Sequence, residues 1–382
     1  MKAPFRLSND GKELVEVLDH EITECTIPDG VYSIGSYAFH YCDRLEGIAI
    51  PNGVTSIGQC AFLGCSALKE VILPESIITI GFEAFKGCNS LKRIRIPSSV
   101  NMIDNYAFAL CDALESVELP ANITEVAPYT FLYCTSLKNI ELPQSITTIG
   151  ESAFSECTSL QSINIPRGVT EIGSYAFCNC TCLKSIDIPG STATIGDSAF
   201  CWCAALEDVT LHEGTERIGG SAFFCCTALR EINIPCSLRS IGEMAFYDCA
   251  SLRALRIPPG IKYIANYLLH GCSSLVETNI PHGVDSIGVS AFAGCKAMNS
   301  IDIPGSVETI AHNAFDGCTS LREIHFETVD IEQCAIDDNT FDGIEPQECT
   351  LYIPQGGIAA YRNHTALGKF KIVEKLINQQ NQ

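Results

Sequence analysis

The sequence predicts a solenoid, a stack of short coils built from one repeated unit. Three residue types keep a common period of 23 along the 382-residue chain. Proline recurs over 28–304, phenylalanine over 39–315 and cysteine over 42–318. The only exceptions are His212 in a proline position and Leu269 in a phenylalanine position. A unit of this size cannot bury its own apolar positions, so we expect it to stack on its neighbours.

Each repeat predicts two short extended segments and a turn. "LKSIDIP" (183–189) alternates apolar and polar residues before a proline, which predicts a strand of a parallel ladder. "VTEIG" (169–173) predicts a second extended piece, whose Gly173 would permit a turn. "SYAFCNC" (174–180) is too short for a long helix, so we expect one helical turn. The Leu, Ile, Val, Ala, Phe and Cys positions of each coil should point inward.

The repeat register sets the expected domain boundaries. Residues 1–23 are predicted to be an N-terminal cap, 24–326 about thirteen repeats, and 327–382 a C-terminal cap. Caps are needed because terminal coils would otherwise expose apolar faces and open strand edges.

Both ends contain segments that suit this capping role. "FRLSNDGKELVEVL" (5–18) predicts two strands joined at the turn signal Asn9–Asp10–Gly11. "CTLYIP" (349–354) predicts a last strand, and "GGIAAYRNHTALGKFKIVEKLI" (356–377) predicts a short helix followed by a final extended piece.

Composition excludes several classes of function. A formal net charge of −21 argues against binding nucleic acid or an anionic membrane surface, since both require clustered Lys and Arg. No apolar stretch is long enough to span a bilayer. The first 18 residues lack the apolar run of a signal peptide, which favours a cytoplasmic location. We expect a monomer.

The chain has 22 cysteines, and their spacing predicts a structural role for most. Thirteen at one register would form a buried column whose Cβ atoms lie too far apart for disulfides. Cys178, Cys182, Cys201, Cys225 and Cys236 lie outside this column. We expect Cys178 and Cys201 on the outer surface, where a zinc site with Cys225 or a surface disulfide stays an alternative.

No catalytic motif is present in the sequence. The chain contains no P-loop, no G-x-S-x-G and no H-E-x-x-H, and its eight histidines do not fall at ligand spacing. The repeat also supplies no base at a fixed offset from cysteine. We therefore predict a protein that is not an enzyme and that holds no cofactor.

The repeat resembles the BspA-like class of leucine-rich repeats. "IPRGVTEIGSYAFCNCTCLKSI" (165–186) carries the pattern, and "CTLYIPQGGIAAYRN" (349–363) resembles the cap that often closes such arrays. The resemblance implies a leucine-rich-repeat solenoid, a curved right-handed array. Its parallel β-sheet would line the concave face, with short extended or helical turns on the convex side. It also implies a surface or secreted adhesion protein, because members often bind host matrix proteins or other cells.

Outward-facing strand positions are the candidate binding surface. They carry charged side chains of both signs but no Tyr or Trp anchor, which favours a weak or multivalent contact. The candidate binding residues are Arg93, Arg95, Glu118, Glu141, Asp187, Asp208, Glu231 and Arg256.

Two functions remain open at this point. One is a protein-binding or adhesion-type scaffold whose partner is a protein or a glycan. The other is an intracellular cysteine-rich repeat protein with a metal or redox role.

Overall fold

A computed structural model describes residues 5–375 as a parallel β-solenoid of stacked coils. Contacts divide the chain into two compact units, one ending at Thr192 and the other beginning at Ala193. The predicted fold class is confirmed in each unit. Helical structure in the described residues is confined to a 3₁₀ turn, Ile331–Gln333, and one short helix, α1 (Ile358–Asn363).

Each coil contributes two short strands, because each repeat holds two extended segments separated by a proline turn. An N-terminal hairpin precedes the coils, β1 (Phe5–Leu7) and β2 (Glu13–Val17). The first strands of successive coils are β3 (Glu24–Thr26), β5 (Gly47–Ala49), β7 (Glu70–Ile72), β9 (Arg93–Arg95), β11 (Ser116–Glu118), β13 (Asn139–Ile140), β15 (Ser162–Ile163), β17 (Ser185–Ile188), β19 (Asp208–Leu211), β21 (Glu231–Ile232), β23 (Ala254–Leu255), β25 (Glu277–Thr278), β27 (Ser300–Ile303) and β29 (Glu323–Phe326).

The second strands form a separate, parallel ladder. They are β4 (Ser33–Ile34), β6 (Ser56–Ile57), β8 (Thr79–Ile80), β10 (Met102–Ile103), β12 (Glu125–Val126), β14 (Thr148–Ile149), β16 (Glu171–Ile172), β18 (Thr194–Ile195), β20 (Arg217–Ile218), β22 (Ser240–Ile241), β24 (Tyr263–Ile264), β26 (Ser286–Ile287), β28 (Thr309–Ile310) and β30 (Ala335–Ile336). Two further strands end the described chain, β31 (Thr350–Pro354) and β32 (Lys371–Lys375).

Pairing follows the repeat register within each unit. In the first unit the odd-numbered strands pair as β3-β5-β7, β9-β11 and β13-β15, and the even-numbered ladder runs β2-β4-β6-β8-β10 and β12-β14-β16. In the second unit the odd-numbered strands pair as β19-β21-β23-β25 and β27-β29-β31-β32, and the even-numbered strands as β18-β20-β22 and β24-β26-β28-β30. The odd-numbered ladder is therefore interrupted at several places.

The turns carry the core of the stack. Core phenylalanine rings of neighbouring coils stack on one another, for example Phe39 on Phe62 at a centroid distance of 4.8 Å and Phe108 on Phe131 at 5.8 Å. Column thiols are buried and donate to carbonyl oxygens; Cys65 Sγ lies 3.0 Å from Phe39 O and Cys111 Sγ 3.2 Å from Phe85 O. The expectation of small buried thiols bonded to loop carbonyls is confirmed for these residues.

The predicted helical turn in 174–180 is wrong. Tyr175 and Asn179 have left-handed backbone angles, φ 57° and 58°, which an α-helix does not accommodate. The equivalent turn of another coil shows why: the N–H groups of Phe131 and Tyr133 each donate to the next coil, at 2.9 Å. Alternate amides bond between coils rather than within the segment, which leaves consecutive β-turns.

Gly173 also has a role other than the predicted one. It does not adopt a left-handed backbone angle. A Cβ placed there would lie 2.7 Å from the Glu151 nitrogen and 2.8 Å from the Gly150 carbonyl carbon, closer than real contacts allow. Glycine is required because the backbones of neighbouring coils approach closely.

Segments predicted at the two ends form as expected. Strands β1 and β2 pair antiparallel, and β2 adds in parallel to β4. At the other end, β31, α1 and β32 are the predicted strand, helix and extended piece, with Leu376 and Ile377 outside the described residues. The cap boundaries after residues 23 and 326 stay a prediction.

Candidate functional site

Outward-facing side chains of the odd-numbered strands form the candidate site, here called the strand face. On β9, Arg93 and Arg95 are exposed while Ile94 is buried, because side chains of a strand alternate in direction. Every coil repeats these two outward positions. We call them the first column, at the Arg93 position, and the second column, at the Arg95 position.

All eight candidate residues are exposed on this face. The first column holds Arg93, Asp208 and Glu231, and the second holds Arg95, Glu118, Glu141, Asp187 and Arg256. The strand face therefore presents both charge signs to solvent.

The structure brings three of these residues together in the first unit. Arg93, Arg95 and Glu118 line a groove of about 310 Å³, together with Glu70 and Ile72. The Arg95 guanidinium lies 3.8 Å from the Glu118 carboxylate. Within residues 5–375, Arg93 makes no salt bridge, so its guanidinium is available to a ligand.

A second carboxylate restrains Arg95. Glu75 accepts a hydrogen bond from its guanidinium at 2.9 Å, and this bond lowers the pKa of the Glu75 carboxyl. Because both side chains are largely exposed, we expect the pair to orient Arg95 rather than stabilise the fold.

The other candidates lie apart from this groove. Glu141 and Asp187 occupy the second column on either side of Asn164. Asp208 and Glu231 are register neighbours on β19 and β21. Each of these positions adds charge to the face.

Two grooves of the strand face lie across interruptions of the odd-numbered ladder. Strands β7 and β9 do not pair, and neither do β25 and β27, in the part of the chain that the structure describes. Each of these two interruptions lies within a groove that paired strands also line. A ladder that is not closed by hydrogen bonds leaves backbone polar groups that a ligand can satisfy.

The groove that reaches the β25–β27 interruption also extends across β23 and holds Arg256. Its volume is about 780 Å³, and Val276, Glu277 and Thr278 contribute to its walls. Val276 is 44% exposed. The Thr278 hydroxyl oxygen is buried and has no hydrogen-bond partner among the described residues, at a position that is aliphatic in every other coil except the first, which has Cys25. An unsatisfied buried hydroxyl costs stability unless a ligand or water bonds to it.

A third groove, of about 250 Å³, lies beside β29 and β31. The His325 ring nitrogens lie 3.2 Å from Glu323 and 3.8 Å from Asp302. Its ring contacts that of Tyr352 at a centroid distance of 4.8 Å, and Lys375 Nζ lies 3.3 Å from the Tyr352 ring centroid. The expectation that this face lacks a Tyr anchor is therefore wrong, because β31 extends the second column beyond the repeats.

Sequence reasoning missed the apolar and unusual residues of this face. Ile72, 57% exposed, and Val276 stand where most coils carry a charged or polar side chain. Thr278 replaces a core aliphatic residue, and Tyr352 lies outside the 23-residue period. Departures from the repeat at outward or core positions are the signal that points to these residues.

The cysteines differ in accessibility from one another. Burial raises the pKa of the Cys111 thiol to about 12. Cys178 and Cys201 are also buried, 6% and 4% exposed, so their predicted surface location is wrong. The position after the core phenylalanine packs between turns, as the buried Ala109 shows. Cys182 and Cys236 are exposed.

Residues 5–375 contain no group of three or more His, Cys, Asp or Glu side chains placed to hold a metal ion. Over the same residues, no helix has the length and apolar character needed to cross a membrane.

Comparison with known families and structures gives a consistent result. The family described as BspA type leucine-rich repeat region (6 copies) matches residues 18–138, 124–253 and 239–353. No curated protein is significantly similar to the chain.

Several solved structures are similar to this chain. A leucine-rich repeat protein from Bacteroides ovatus ATCC 8483 is 31% identical, with 97% of this chain and 90% of that chain covered and a TM-score of 0.72. A leucine rich cell surface protein from Faecalibacterium prausnitzii A2-165 is 30% identical, with 84% and 92% covered and a TM-score of 0.55. The pneumococcal vaccine antigen PcpA, 20% identical over 93% and 85% with a TM-score of 0.52, shares the fold alone.

Proposed function

This chain belongs to the BspA-type leucine-rich repeat family, and we propose that it is a non-enzymatic scaffold that binds a protein through its strand face. One observation carries the proposal: two grooves lie on this face across interruptions of the strand ladder, and the candidate residues Arg93, Arg95, Glu118 and Arg256 line them. The repeat positions that build the stack are buried, so the variable outward positions are free to recognise a partner.

Chemistry of the grooves supports a polypeptide partner. Each groove combines a guanidinium without a salt bridge in the described chain, Arg93 or Arg256, with an exposed aliphatic side chain, Ile72 or Val276. An arginine fork binds a carboxylate with two parallel hydrogen bonds, and an aliphatic neighbour adds apolar contact. The second unit alone has two grooves on this face, beside Arg256 and beside His325, and this favours several weak contacts made together over one tight contact.

An adhesion-type role is the finer form of this proposal. It requires the protein to reach the cell surface, as the name of the Faecalibacterium prausnitzii relative indicates for that protein. Brief protease treatment of intact source cells tests the location. Release of its peptides supports adhesion, whereas full protection with reduced Cys182 and Cys236 supports a partner inside the cell.

Purified matrix proteins and a glycan panel are the probes for the binding surface. We expect the variant Arg93→Glu with Arg95→Glu to bind any positive probe about tenfold or more weakly, because two cations that can pair with carboxylates become anions. The matched control is Lys262→Glu with Lys296→Glu, which makes the same charge change at exposed lysines away from the grooves. Equal affinity of both variants would place the binding surface elsewhere.

A further inference from the structure

The odd-numbered ladder ends in two strands that carry no outer neighbour among residues 5–375. Strand β3 pairs with β5 alone, and β32 pairs with β31 alone. The N-terminal hairpin does not cover β3, because β2 adds to β4 in the other ladder. Unpaired strand edges of this kind accept another strand, so both edges are candidate interaction surfaces.

The two edges share one register. Glu24 on β3 aligns with Gly47 and Glu70 and is therefore in the first column. Lys371 on β32 aligns with Thr350, which aligns with Glu323 of the same column. If β32 of one molecule added in parallel to β3 of another, Lys371 would lie opposite Glu24.

The core positions of the two edges also match. Ile372 on β32 aligns with Leu351, and Cys25 on β3 aligns with Ile48; both partners are buried core residues. Ile372 and Cys25 themselves are half-buried, because no coil among residues 5–375 covers their outer side. Stacking β32 on β3 would place these two apolar side chains together and continue the core between molecules.

Charge distinguishes the two ends of the chain. The segment around β3 carries Asp19, Glu21 and Glu24, whereas Lys369, Lys371 and Lys375 are on or beside β32. Glu21 is paired with Arg44, but neither Glu24 nor Lys371 has a salt-bridge partner within the described chain.

Glu374 is the single acidic residue of β32, and its carboxylate already has hydrogen-bond partners within the chain. The Glu374 carboxylate accepts hydrogen bonds from the N–H groups of Gly356 and Ile358, at 3.0 and 3.3 Å. These bonds turn Glu374 toward its own chain and leave a cationic edge on a protein whose net charge is −21.

We propose that a second copy of this chain docks head to tail, with β32 of one molecule added in parallel to β3 of the next. Lys371 pairs with Glu24 and Ile372 packs against Cys25 across the contact. The contact is heterologous, since each molecule uses one surface and leaves the other free, so association continues beyond a dimer. This replaces the expectation of a monomer from sequence.

Sedimentation equilibrium of the full chain from about 1 to 300 µM at low salt tests the proposal. We expect the average mass to rise with concentration beyond that of a dimer, and to fall toward the monomer in about 1 M salt, which screens the ion pair. A monomer mass over the whole concentration range would overturn it.

Charge reversal identifies the edges involved. Lys371→Glu and Glu24→Lys should each weaken association about tenfold or more, because each places like charges opposite each other. Mixing the two variants should restore association, since every contact between one variant and the other again pairs opposite charges at these two positions. Restoration also shows that both variants are folded. Lys92→Glu, the same charge change in the middle of the ladder, should leave association unchanged.

Two results would contradict the edge assignment. One is association of both single variants at wild-type strength, and the other is a mixture that stays as weakly associated as its components.

Discussion

The turns and the strand face follow the same 23-residue period, yet they connect the coils in different ways. In the turns, the core phenylalanine N–H donates to a carbonyl of the next coil, as Phe62 does to Ala84 at 2.7 Å and Phe292 to Ala314 at 2.8 Å. On the strand face the ladder is interrupted, and the outward residues change from coil to coil. The turns therefore build the stack, which leaves the strand face free to vary and to bind.

The largest loss of stability in the turns should come from raising the pH, because the buried thiols then ionise. The pKa of Cys111 is raised from 9.0 to about 12 by burial, and the pKa of Cys134 is raised by the same cause. A folded-state pKa above the unfolded value favours folding below pH 9, and this stability is lost as pH rises through 9 toward 12. Each such thiol should lower the free energy of unfolding by about 1.4 kcal/mol per pH unit in this window.

Urea unfolding between pH 8 and pH 11 measures this loss. The matched control is the variant Cys111→Ala with Cys134→Ala, in which the decrease with pH should be shallower. A decrease of equal slope in both proteins would show that the buried thiols do not govern the alkaline stability.

Removing one core ring should have the next largest effect. Phe131 is fully buried and stacks on Phe108 and Phe154 at 5.8 and 5.4 Å. Phe131→Ala should lower the free energy of unfolding by about 3–5 kcal/mol, since it leaves a cavity. Tyr133→Ala is the control in the same turn: Tyr133 is 43% exposed, and we expect a change within about 0.5 kcal/mol. Chemical denaturation of both variants measures the two losses in free energy of unfolding. Equal losses would show that the buried ring and the exposed ring stabilise the turn alike, which would contradict the comparison.

The sequence predicts the turns and their buried core better than it predicts the strand face. The period of proline, phenylalanine and cysteine predicts the solenoid and the buried column, because each position repeats one environment. The turn at 174–180 is mispredicted because its amides bond to another coil, which local propensity does not encode. Groove residues such as Thr278 are missed for a related reason: side chains of several coils line a groove together, and one strand's sequence does not reveal this.

Two glycines distinguish the turns from the strand face by how closely the backbones of neighbouring coils approach each other. Gly173→Ala should lower the free energy of unfolding by about 1–3 kcal/mol, because its Cβ would lie 2.7 Å from the backbone of the preceding coil. On the strand face, a Cβ at Gly47 would find its nearest neighbour, Glu70 O, at 3.8 Å. Gly47→Ala should therefore leave stability within about 0.5 kcal/mol of the wild type or raise it. Thermal unfolding checks both; a larger loss at Gly47 would reverse the comparison.

Salt bridges on the strand face should have the smallest effect. Lys138 Nζ lies 3.2 Å from Glu115, and both side chains are about half exposed. Lys138→Ala should cost no more than about 1 kcal/mol, and the loss should vanish in about 1 M salt. Lys184→Ala, at the same repeat position but without a salt bridge in the described chain, is the control. A loss of unfolding free energy that does not depend on salt, in either variant, would show that side chains of this face help to hold the coils together. The interrupted ladder does not predict such a role.

Amide hydrogen exchange in the native state tests the central claim most directly. The Phe131 N–H, bonded to Ala153 O at 2.9 Å in the turn, should exchange only on global unfolding. Amides of Lys92 and Asn299 lie at the two groove-forming interruptions, where no hydrogen bond to the preceding coil closes the described ladder. We predict that they exchange at least about a hundredfold faster than Phe131. Equal protection of all three amides would show that the strand face holds the coils together as firmly as the turns, and would contradict the account.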